Sequence, residues 1–297
     1  MMKQPHRVLL VAVALLFAAA CSGQKQEKTG KTIIQNKGSD TMVNIAQAWA
    51  EEYKKVAPAV EVEVSGGGSG VGIAALAKGA VDIANASRNI KQKEIEDAQA
   101  NTGRTPVETI VGFDALAIFV HKDNPIEAIS LKQIADIYAE GGTVTRWSQL
   151  GVTLPNGRDM IIRVSRQSSS GTYEFLRSRA LKNVDFKLGS CDLNGSKEVV
   201  ELVANTPGAI GYSGMGYATA GVKMVKVSEK QGMPAVAPSE EAAMNKSYPI
   251  SRSLLVCTLG QPQNEIKKYI DWILTDAGQG ILKQNGYVPT RPIALTK

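Results

Sequence analysis

The sequence is poor in the side chains that most often carry catalysis or bind metal ions. Its 297 residues include two histidines, three cysteines and 5% aromatic residues. A metal site with several histidine ligands is therefore excluded, and a Ser-His-Asp triad would have to use His121, because His6 lies next to the N-terminus. No Gly-x-Ser-x-Gly segment occurs, which argues against a hydrolase with a serine nucleophile elbow.

Most of the chain also lacks a strong excess of either charge. There are 34 Lys+Arg and 28 Asp+Glu, a net charge of +6, and residues 1–32 carry five basic residues and one acid, which is +4 of that excess. The body of the chain therefore has a net charge of only +2. So small an excess does not indicate a nucleic-acid-binding surface, and we expect no nucleic acid partner.

One long apolar run occurs near the N-terminus. Residues 8–20 form 13 apolar positions behind two basic residues, too few to cross ~30 Å of hydrocarbon as a helix. This layout is typical of a secretory signal peptide, placed here at residues 1–20. The small residues before Cys21 are similar to a bacterial lipobox, so we expect Cys21 to be acylated; the alternative is an ordinary signal peptide in which Cys21 is incidental.

Residues 21–32 are then the lipidated cysteine and a polar, lysine-rich, flexible tether. The expected location is the cell envelope, as a membrane-anchored lipoprotein facing the periplasm or the cell exterior. In that oxidising compartment Cys191 and Cys257 are a candidate disulfide pair. The sequence does not say whether these two residues meet, and two unpaired cysteines are the alternative.

Strand-like and helix-like segments alternate along the body. Residues 60–64 alternate with a period of two, as a half-covered strand does, and apolar residues from 42 to 56 share one helical face ahead of Pro58. Short apolar runs at 116–120, 161–164 and 254–256 suit buried strands. The alternation favours an α/β fold with largely parallel sheets, and the length favours two lobes over one.

Three segments rich in Gly, Ser and Thr each follow a predicted strand and precede a predicted helix. They are residues 38–41, 65–72 and 165–172. The start of a helix offers unpaired backbone N–H groups and a partial positive charge. One such turn is usually an ordinary helix cap, but three of them, two with arginines nearby, predict convergence on one small oxyanion.

Several segments together carry a resemblance to a known family. They are Gly38-Ser-Asp-Thr-Met42, residues 66–72, residues 81–88, residues 129–138 with 147–150, Arg166-Gln-Ser-Ser-Ser-Gly-Thr172 and residues 208–212. In this order, over about residues 33–290, the chain resembles the phosphate-binding subunit of bacterial ABC phosphate importers, the PstS type. The resemblance implies a type II-like periplasmic-binding-protein fold of class α/β, in which two α/β lobes joined by two hinge strands hold the ligand in a cleft.

Under that resemblance, chain order assigns residues 33–118 plus 254–297 to lobe one and residues 119–253 to lobe two. The hinge strands would be residues 116–120 and 254–256. The implied phosphate-binding residues are Ser39, Asp40, Thr41, Ser69, Gly70 and Arg88 in lobe one, and Arg166, Ser170, Gly171 and Thr172 in lobe two. Some family members have an aspartate where this chain has Arg88, which is either a second cationic contact or a solvated surface arginine.

That departure raises the question of how phosphate is told from sulfate. Phosphate near neutral pH keeps a P–OH group that can donate a hydrogen bond to a carboxylate, whereas a carboxylate repels fully ionised sulfate. We expect Asp40 to take this role, with Asp114 as the second candidate. The alternative for Asp40 is a plain helix N-cap.

The expected function is capture of inorganic phosphate and its delivery to an ABC permease by a monomeric binding protein with no enzymatic activity, no cofactor and no metal. A second hypothesis keeps the fold and changes the ligand to another tetrahedral oxyanion or a phosphate ester. A third is a serine-dependent hydrolase that uses the cluster at residues 168–170, for which the sequence offers no base.

Overall fold

A computed structural model describes residues 31–293. The strands of this range are β1 (Thr32–Gly38), β2 (Val60–Ser65), β3 (Ile83–Ala86), β4 (Pro106–His121), β5 (Ala128–Ser130), β6 (Ile162–Arg166), β7 (Cys191–Leu193), β8 (Ala209–Gly214), β9 (Val222–Ser228) and β10 (Ser251–Leu259). Its helices are α1 (Val43–Val56), α2 (Ser69–Ala77), α3 (Gln92–Thr102), α4 (Leu131–Tyr138), α5 (Gly171–Arg179), α6 (Ser196–Ala204), α7 (Glu240–Met244), α8 (Asn264–Ile273) and α9 (Asp276–Gln284). The expected signal peptide and the expected acylation of Cys21 lie outside the described residues.

Helix α1 confirms the periodicity seen in the sequence. Ile45, Trp49 and Tyr53 recur every four residues and are buried, because positions four apart lie on the same face of a helix. The Trp49 indole nitrogen donates a hydrogen bond to the Gly278 carbonyl oxygen at 2.8 Å, which ties α1 to α9. The helix ends at Val56, two residues before Pro58, as predicted.

The first lobe is built around β1. This strand pairs in parallel with β2 and β3, and β3 pairs with β10 in the antiparallel sense. Ile34, Trp49, Ile83 and Tyr269 belong to the apolar core packed against this sheet. Helices α1, α8 and α9 contribute to that core because each turns an apolar face towards the sheet.

The second lobe is built around β8, which lies between β4 and β6. Strands β6 and β8 are parallel, and so are β6 and β7. Tyr138, Trp147 and Tyr212 are fully buried in its core. The Tyr138 hydroxyl donates to the Ile210 carbonyl oxygen at 2.8 Å, so α4 is bonded to the central strand as well as packed on it.

Strand β4 connects the two lobes. Its residues up to Ala115 pair with β10, and from Leu116 onward they pair with β8 and β9. Ser251, the first residue of β10, pairs with Ala115, so both strands cross between the lobes at the same level. The pairings of β10 with β3 and β4 in the first lobe, and of β4 with β8 and β9 in the second, are antiparallel. They correct the expectation of largely parallel sheets, because each lobe combines parallel and antiparallel pairs.

The C-terminal helical region contains two helices. The sequence pattern of residues 263–275 predicts the first, which α8 confirms, and α9 follows it. The Thr275 hydroxyl accepts a hydrogen bond from the Gly278 backbone N–H and caps the new helix, which is why the chain breaks and restarts there. The break positions α9 against α1, below the first of the three Gly/Ser/Thr-rich turns.

Candidate functional site

The first Gly/Ser/Thr-rich turn lies between β1 and α1, as predicted. Gly38 has a φ of +146° and passes so close to the Asn85 carbonyl oxygen that a Cβ would overlap it. The Ser39 N–H donates to the same carbonyl at 2.8 Å. Ser39 and Thr41 are 2% and 1% exposed, so the turn presents its hydroxyl groups to the interior.

The second turn joins β2 to α2 and lies beside the first. Gly67 and Gly68 have φ values of +111° and +97°, which favour glycine. The Gly67 N–H donates to Asp40 Oδ1 at 2.8 Å, so the two turns are bonded to each other. Ser69, the first residue of α2, is fully buried, and its hydroxyl oxygen accepts a hydrogen bond from the Ser87 N–H at 3.1 Å.

The third turn lies in the second lobe, between β6 and α5. The Ser170 hydroxyl caps α5 by accepting hydrogen bonds from the Thr172 and Tyr173 N–H groups. Ser170 and Thr172 are 3% and 0% exposed. The cap places the first amides of α5, with the positive end of its dipole, at the surface that meets the first lobe.

The structure brings the three turns together across the cleft between the lobes. The Thr41 and Thr172 hydroxyl oxygens are 2.8 Å apart, and the Gly70 N–H donates to the Ser169 carbonyl oxygen at 2.9 Å. A Cβ on Gly171 would overlap the Ser69 hydroxyl oxygen. The lobes are therefore closed on a buried, hydroxyl-lined site, and the predicted convergence of the turns is confirmed.

Arg166 supplies a buried cation to this site. Its Nη2 lies 3.1 Å from Asp40 Oδ2 and 2.7 Å from the Asn194 carbonyl oxygen, and its Nη1 donates to the Ser196 hydroxyl at 3.0 Å. Burial lowers the pKa of the guanidinium, and the Asp40 carboxylate opposes that shift. Because Arg166 and Asp40 lie in different lobes, their ion pair crosses the cleft.

Asp40 has both carboxylate oxygens engaged: Oδ1 accepts from Gly67 and Oδ2 from Arg166. In the structure it orients Arg166 and the second turn. It does not act as a helix N-cap, since Met42 occupies the N-cap position of α1 without a side-chain hydrogen bond. A carboxylate has about four lone-pair positions, so Asp40 retains the capacity to accept a further proton donor.

Arg88 is not the solvated surface arginine that was one of its two interpretations. Its guanidinium forms a two-pronged ion pair with Glu94, at 2.7 and 2.9 Å, and donates to the Asn89 carbonyl oxygen. Among the described residues these are its hydrogen-bond partners, and none belongs to the three turns. Its side chain is only 10% exposed. Its contact with the anion stays a prediction.

One residue of the site, Arg252, was not expected from the sequence, and another, Asp114, was only the second candidate. Arg252 on β10 is buried, and its guanidinium donates to the Thr172 hydroxyl at 3.0 Å and to the Thr41 hydroxyl at 3.3 Å. Asp114 on β4 accepts from Arg252 at 2.8 and 2.9 Å, and burial raises the pKa of this carboxyl. The signal available in the sequence was an arginine between two serines, directly before the apolar run at residues 254–256.

The candidate disulfide is corrected by the structure. Cys191 and Cys257 are both free; Cys191 is exposed on β7, whereas Cys257 is buried on β10. Strands β4, β8 and β6 lie between them in the strand order. Neighbouring strands are about 4.8 Å apart, and a disulfide needs Cα atoms within about 7 Å, so the two cysteines do not meet.

The described residues add two further findings. Between residues 31 and 293, no three or more His, Cys, Asp and Glu side chains are grouped so as to hold a metal ion. In the same range every helix is too short or too polar to span a bilayer.

A two-lobe α/β fold in which strand-to-helix turns of both lobes meet in a closed cleft defines a periplasmic binding protein. The model of a family described as the PBP superfamily domain matches residues 23–277. The phosphate-binding protein PstS of Pseudomonas aeruginosa is 34% identical over 262 residues, covering 85% of this chain and 81% of the relative. The chain therefore belongs to the PBP superfamily and, within it, to the PstS phosphate-binding proteins.

Solved structures agree with this assignment. A phosphate ABC transporter substrate-binding protein with bound phosphate from Clostridium perfringens has a TM-score of 0.76 and 30% identity, and covers 88% of this chain and 100% of that one. An ABC-type phosphate transport receptor from Vibrio cholerae has a TM-score of 0.68 and 26% identity, with 87% and 100% coverage. The expected fold class and family are confirmed.

Proposed function

We propose that this chain captures inorganic phosphate between its two lobes and delivers it to an ABC permease. The observation that carries the proposal is the meeting of three strand-to-helix turns in one closed cleft, with Arg166 beside them. Hydroxyl groups, the first amides of α5 and a guanidinium are the donors that a small tetrahedral oxyanion needs. Relatives named for phosphate binding share this fold.

The proposed ligand groups are those that meet in the cleft. Ser39, Thr41, Ser69 and Gly70 act from the first lobe, and Arg166, Ser170, Gly171 and Thr172 act from the second. The lobe boundaries stay as expected, at residues 33–118 plus 254–297 and residues 119–253; the change of strand partners after Ala115 supports them to within a few residues. No bond of the anion is made or broken, so the chain acts as a receptor and not as an enzyme.

Calorimetry with the purified chain tests the ligand. Phosphate is expected to bind with a saturable heat at one site per chain, arsenate to compete with it, and sulfate to bind far more weakly. Glycerol phosphate, as a representative phosphate ester, is expected not to bind, because the turns are buried and in direct contact across the closed cleft. Absence of a phosphate heat, or stronger binding of the ester, contradicts the proposal, and turnover of a chromogenic phosphate ester contradicts the receptor role.

Selectivity for phosphate over sulfate is assigned to Asp40. Its carboxylate lies between the two lobes and can accept a hydrogen bond from the P–OH group that phosphate retains, whereas fully ionised sulfate has no such donor and is repelled by the like charge. Asp114, the second candidate, is more completely enclosed by its own partner Arg252. The variant Asp40→Asn is expected to lose most of the discrimination between the two anions.

The control for this variant is Asp276→Asn, at the exposed start of α9, which leaves the cleft untouched. Both variants are titrated with phosphate and sulfate. If Asp40→Asn discriminates as well as the unmodified chain, the assignment of Asp40 is wrong.

We also propose that the chain is a monomeric lipoprotein of the cell envelope, with a signal peptide at residues 1–20, acylated Cys21 and a tether to residue 32. The apolar run and the lipobox-like residues of the sequence support this. When the chain is expressed in a bacterium from residue 1 onward, it is expected in the membrane fraction. The variant Cys21→Ser is expected to release the protein from the membrane. Equal membrane association of both forms contradicts the anchor.

A further inference from the structure

A buried ion pair stands directly behind the closed cleft. Arg252 and Asp114 are register partners on β10 and β4, at the level where both strands pass between the lobes. Their side chains are 2% and 0% exposed. The Arg252 Nε and Nη2 atoms donate to Asp114 Oδ2 at 2.9 and 2.8 Å, and Asp114 Oδ1 accepts from the Met215 N–H at 3.1 Å. The pair is therefore held by backbone and side chains of both lobes.

The guanidinium donates to the Ser87 carbonyl oxygen of the first lobe at 3.4 Å and uses its other donors on two hydroxyl groups that face each other. Nη1 donates to Thr172 Oγ1 at 3.0 Å and Nη2 to Thr41 Oγ1 at 3.3 Å. Thr41 belongs to the first lobe and Thr172 to the second, so Arg252 can contact both only when the lobes are closed. The ring of Phe175, also in the second lobe, lies 5.7 Å from the guanidinium carbon and adds a cation–π contact there.

These contacts decide where the hydroxyl protons point. Each threonine hydroxyl has one proton to donate, and the Arg252 guanidinium has no atom that could accept a hydrogen bond from it. One of the two protons lies in the bond between Thr41 and Thr172, whose oxygens are 2.8 Å apart. Because Arg252 occupies acceptor positions of both oxygens, the other proton is directed away from the guanidinium and becomes a donor for an anion in the cleft.

We propose that Arg252, held by Asp114, is a positioning residue of the anion site: it orients the Thr41 and Thr172 hydroxyl groups and stabilises the closed cleft. This inference rests on the proposed phosphate-binding function. Its contacts to both lobes exist only after closure, so it slows the release of phosphate and has little effect on its capture. Hydrogen bonds to charged groups predict a rise in koff of about ten- to a hundredfold when the arginine fork is lost, with kon changed by less than about twofold.

The test uses the full chain loaded with radioactive phosphate. The rate constant koff is measured from loss of the label after excess unlabelled phosphate is added, and kon is measured from the rate at which binding of the label approaches saturation. Two variants are used. Arg252→Lys keeps the charge beside Asp114 and loses the fork, and the double variant Arg252→Met with Asp114→Asn removes both charges, so that no buried charge is left unpaired. Arg179→Lys, whose ion pair with Glu229 lies at the surface of the second lobe, is the matched control.

A double-mutant cycle with Thr172→Val separates positioning from a merely structural role. If Arg252 acts through the Thr172 hydroxyl group, the fold-increase in koff caused by Arg252→Lys is at least threefold smaller in the Thr172→Val background than in the unmodified chain. A general loss of stability gives additive effects instead. Unchanged koff in the two folded Arg252 variants, or additivity in the cycle, overturns the proposal. So does failure of both variants to fold while the control folds, since the pair is then a requirement for folding.

Failure of the proposed function gives a different result from failure of this inference. If the unmodified chain does not retain phosphate, the function is wrong. If it does and the variants release phosphate at the same rate, the function stands and the role of Arg252 is wrong.

Discussion

Gly171 decides how closely the two lobes approach each other. A Cβ at this position would overlap the Ser69 hydroxyl oxygen and lie 2.7 Å from that of Ser87, and both serines belong to the opposite lobe. The glycine is not needed for its own backbone conformation, because its φ is not positive. Its requirement is therefore one of space at the contact between the lobes, and it arises only when the cleft closes.

The variant Gly171→Ala is accordingly expected to fold normally and to bind phosphate at least tenfold more weakly, since its methyl group keeps the lobes apart. Calorimetry measures the affinity, and thermal unfolding without phosphate measures the fold. Gly280→Ala is the matched control, because a Cβ there meets no atom within 4 Å. Equal phosphate affinity in both variants would show that the closed contact at Gly171 is not used in binding.

The N-terminal regions of α3 and α5 meet across the mouth of the cleft. Lys91, the N-cap of α3, forms an ion pair with Glu174 of α5 at 2.8 Å. The lysine side chain is 50% exposed and that of the glutamate 19%, so solvent screens the pair and its contribution is modest. Because the pair joins residues of opposite lobes, it is expected to favour the closed state by a small amount.

Lys91→Glu is therefore expected to weaken phosphate binding by about two- to fivefold, and the charge exchange Lys91→Glu with Glu174→Lys is expected to restore most of the loss. Binding is measured at low and at physiological salt, and the difference should shrink with added salt. Lys93→Glu, on the same helix with its partner Asp97 four residues away, controls for charge alone. An exchange variant as weak as the single one would refute the contact.

At the scale of the whole molecule, closure links phosphate binding to stability. A ligand that binds only the folded state adds about 2.7 kcal/mol at a hundredfold excess over its Kd. For a chain of this size that corresponds to a rise in Tm of about 4–5 °C. Differential scanning calorimetry with phosphate and with sulfate at equal ionic strength measures this rise. Similar shifts with both anions would indicate a general salt effect in place of specific binding.

The sequence by itself determined the local features of this protein. The helical face of α1, the strand–turn–helix order of all three turns and the Ser170 cap depend on residues within a few positions of each other, so periodicity and capping chemistry reveal them. The order of the motifs also carried the family and the two-lobe fold. The expectation of largely parallel sheets was wrong.

The tertiary structure alone decided what depends on distant residues. Arg252 meets Asp114 across 138 positions and Thr41 across 211, and no local pattern encodes those separations. The separation of Cys191 from Cys257 and the ion pair of Arg88 with Glu94 were also decided by the tertiary structure. Both depend on which strands and side chains become neighbours when the chain folds. A sequence specifies donors and their spacing along the chain, whereas packing in three dimensions selects which donors remain available to an anion.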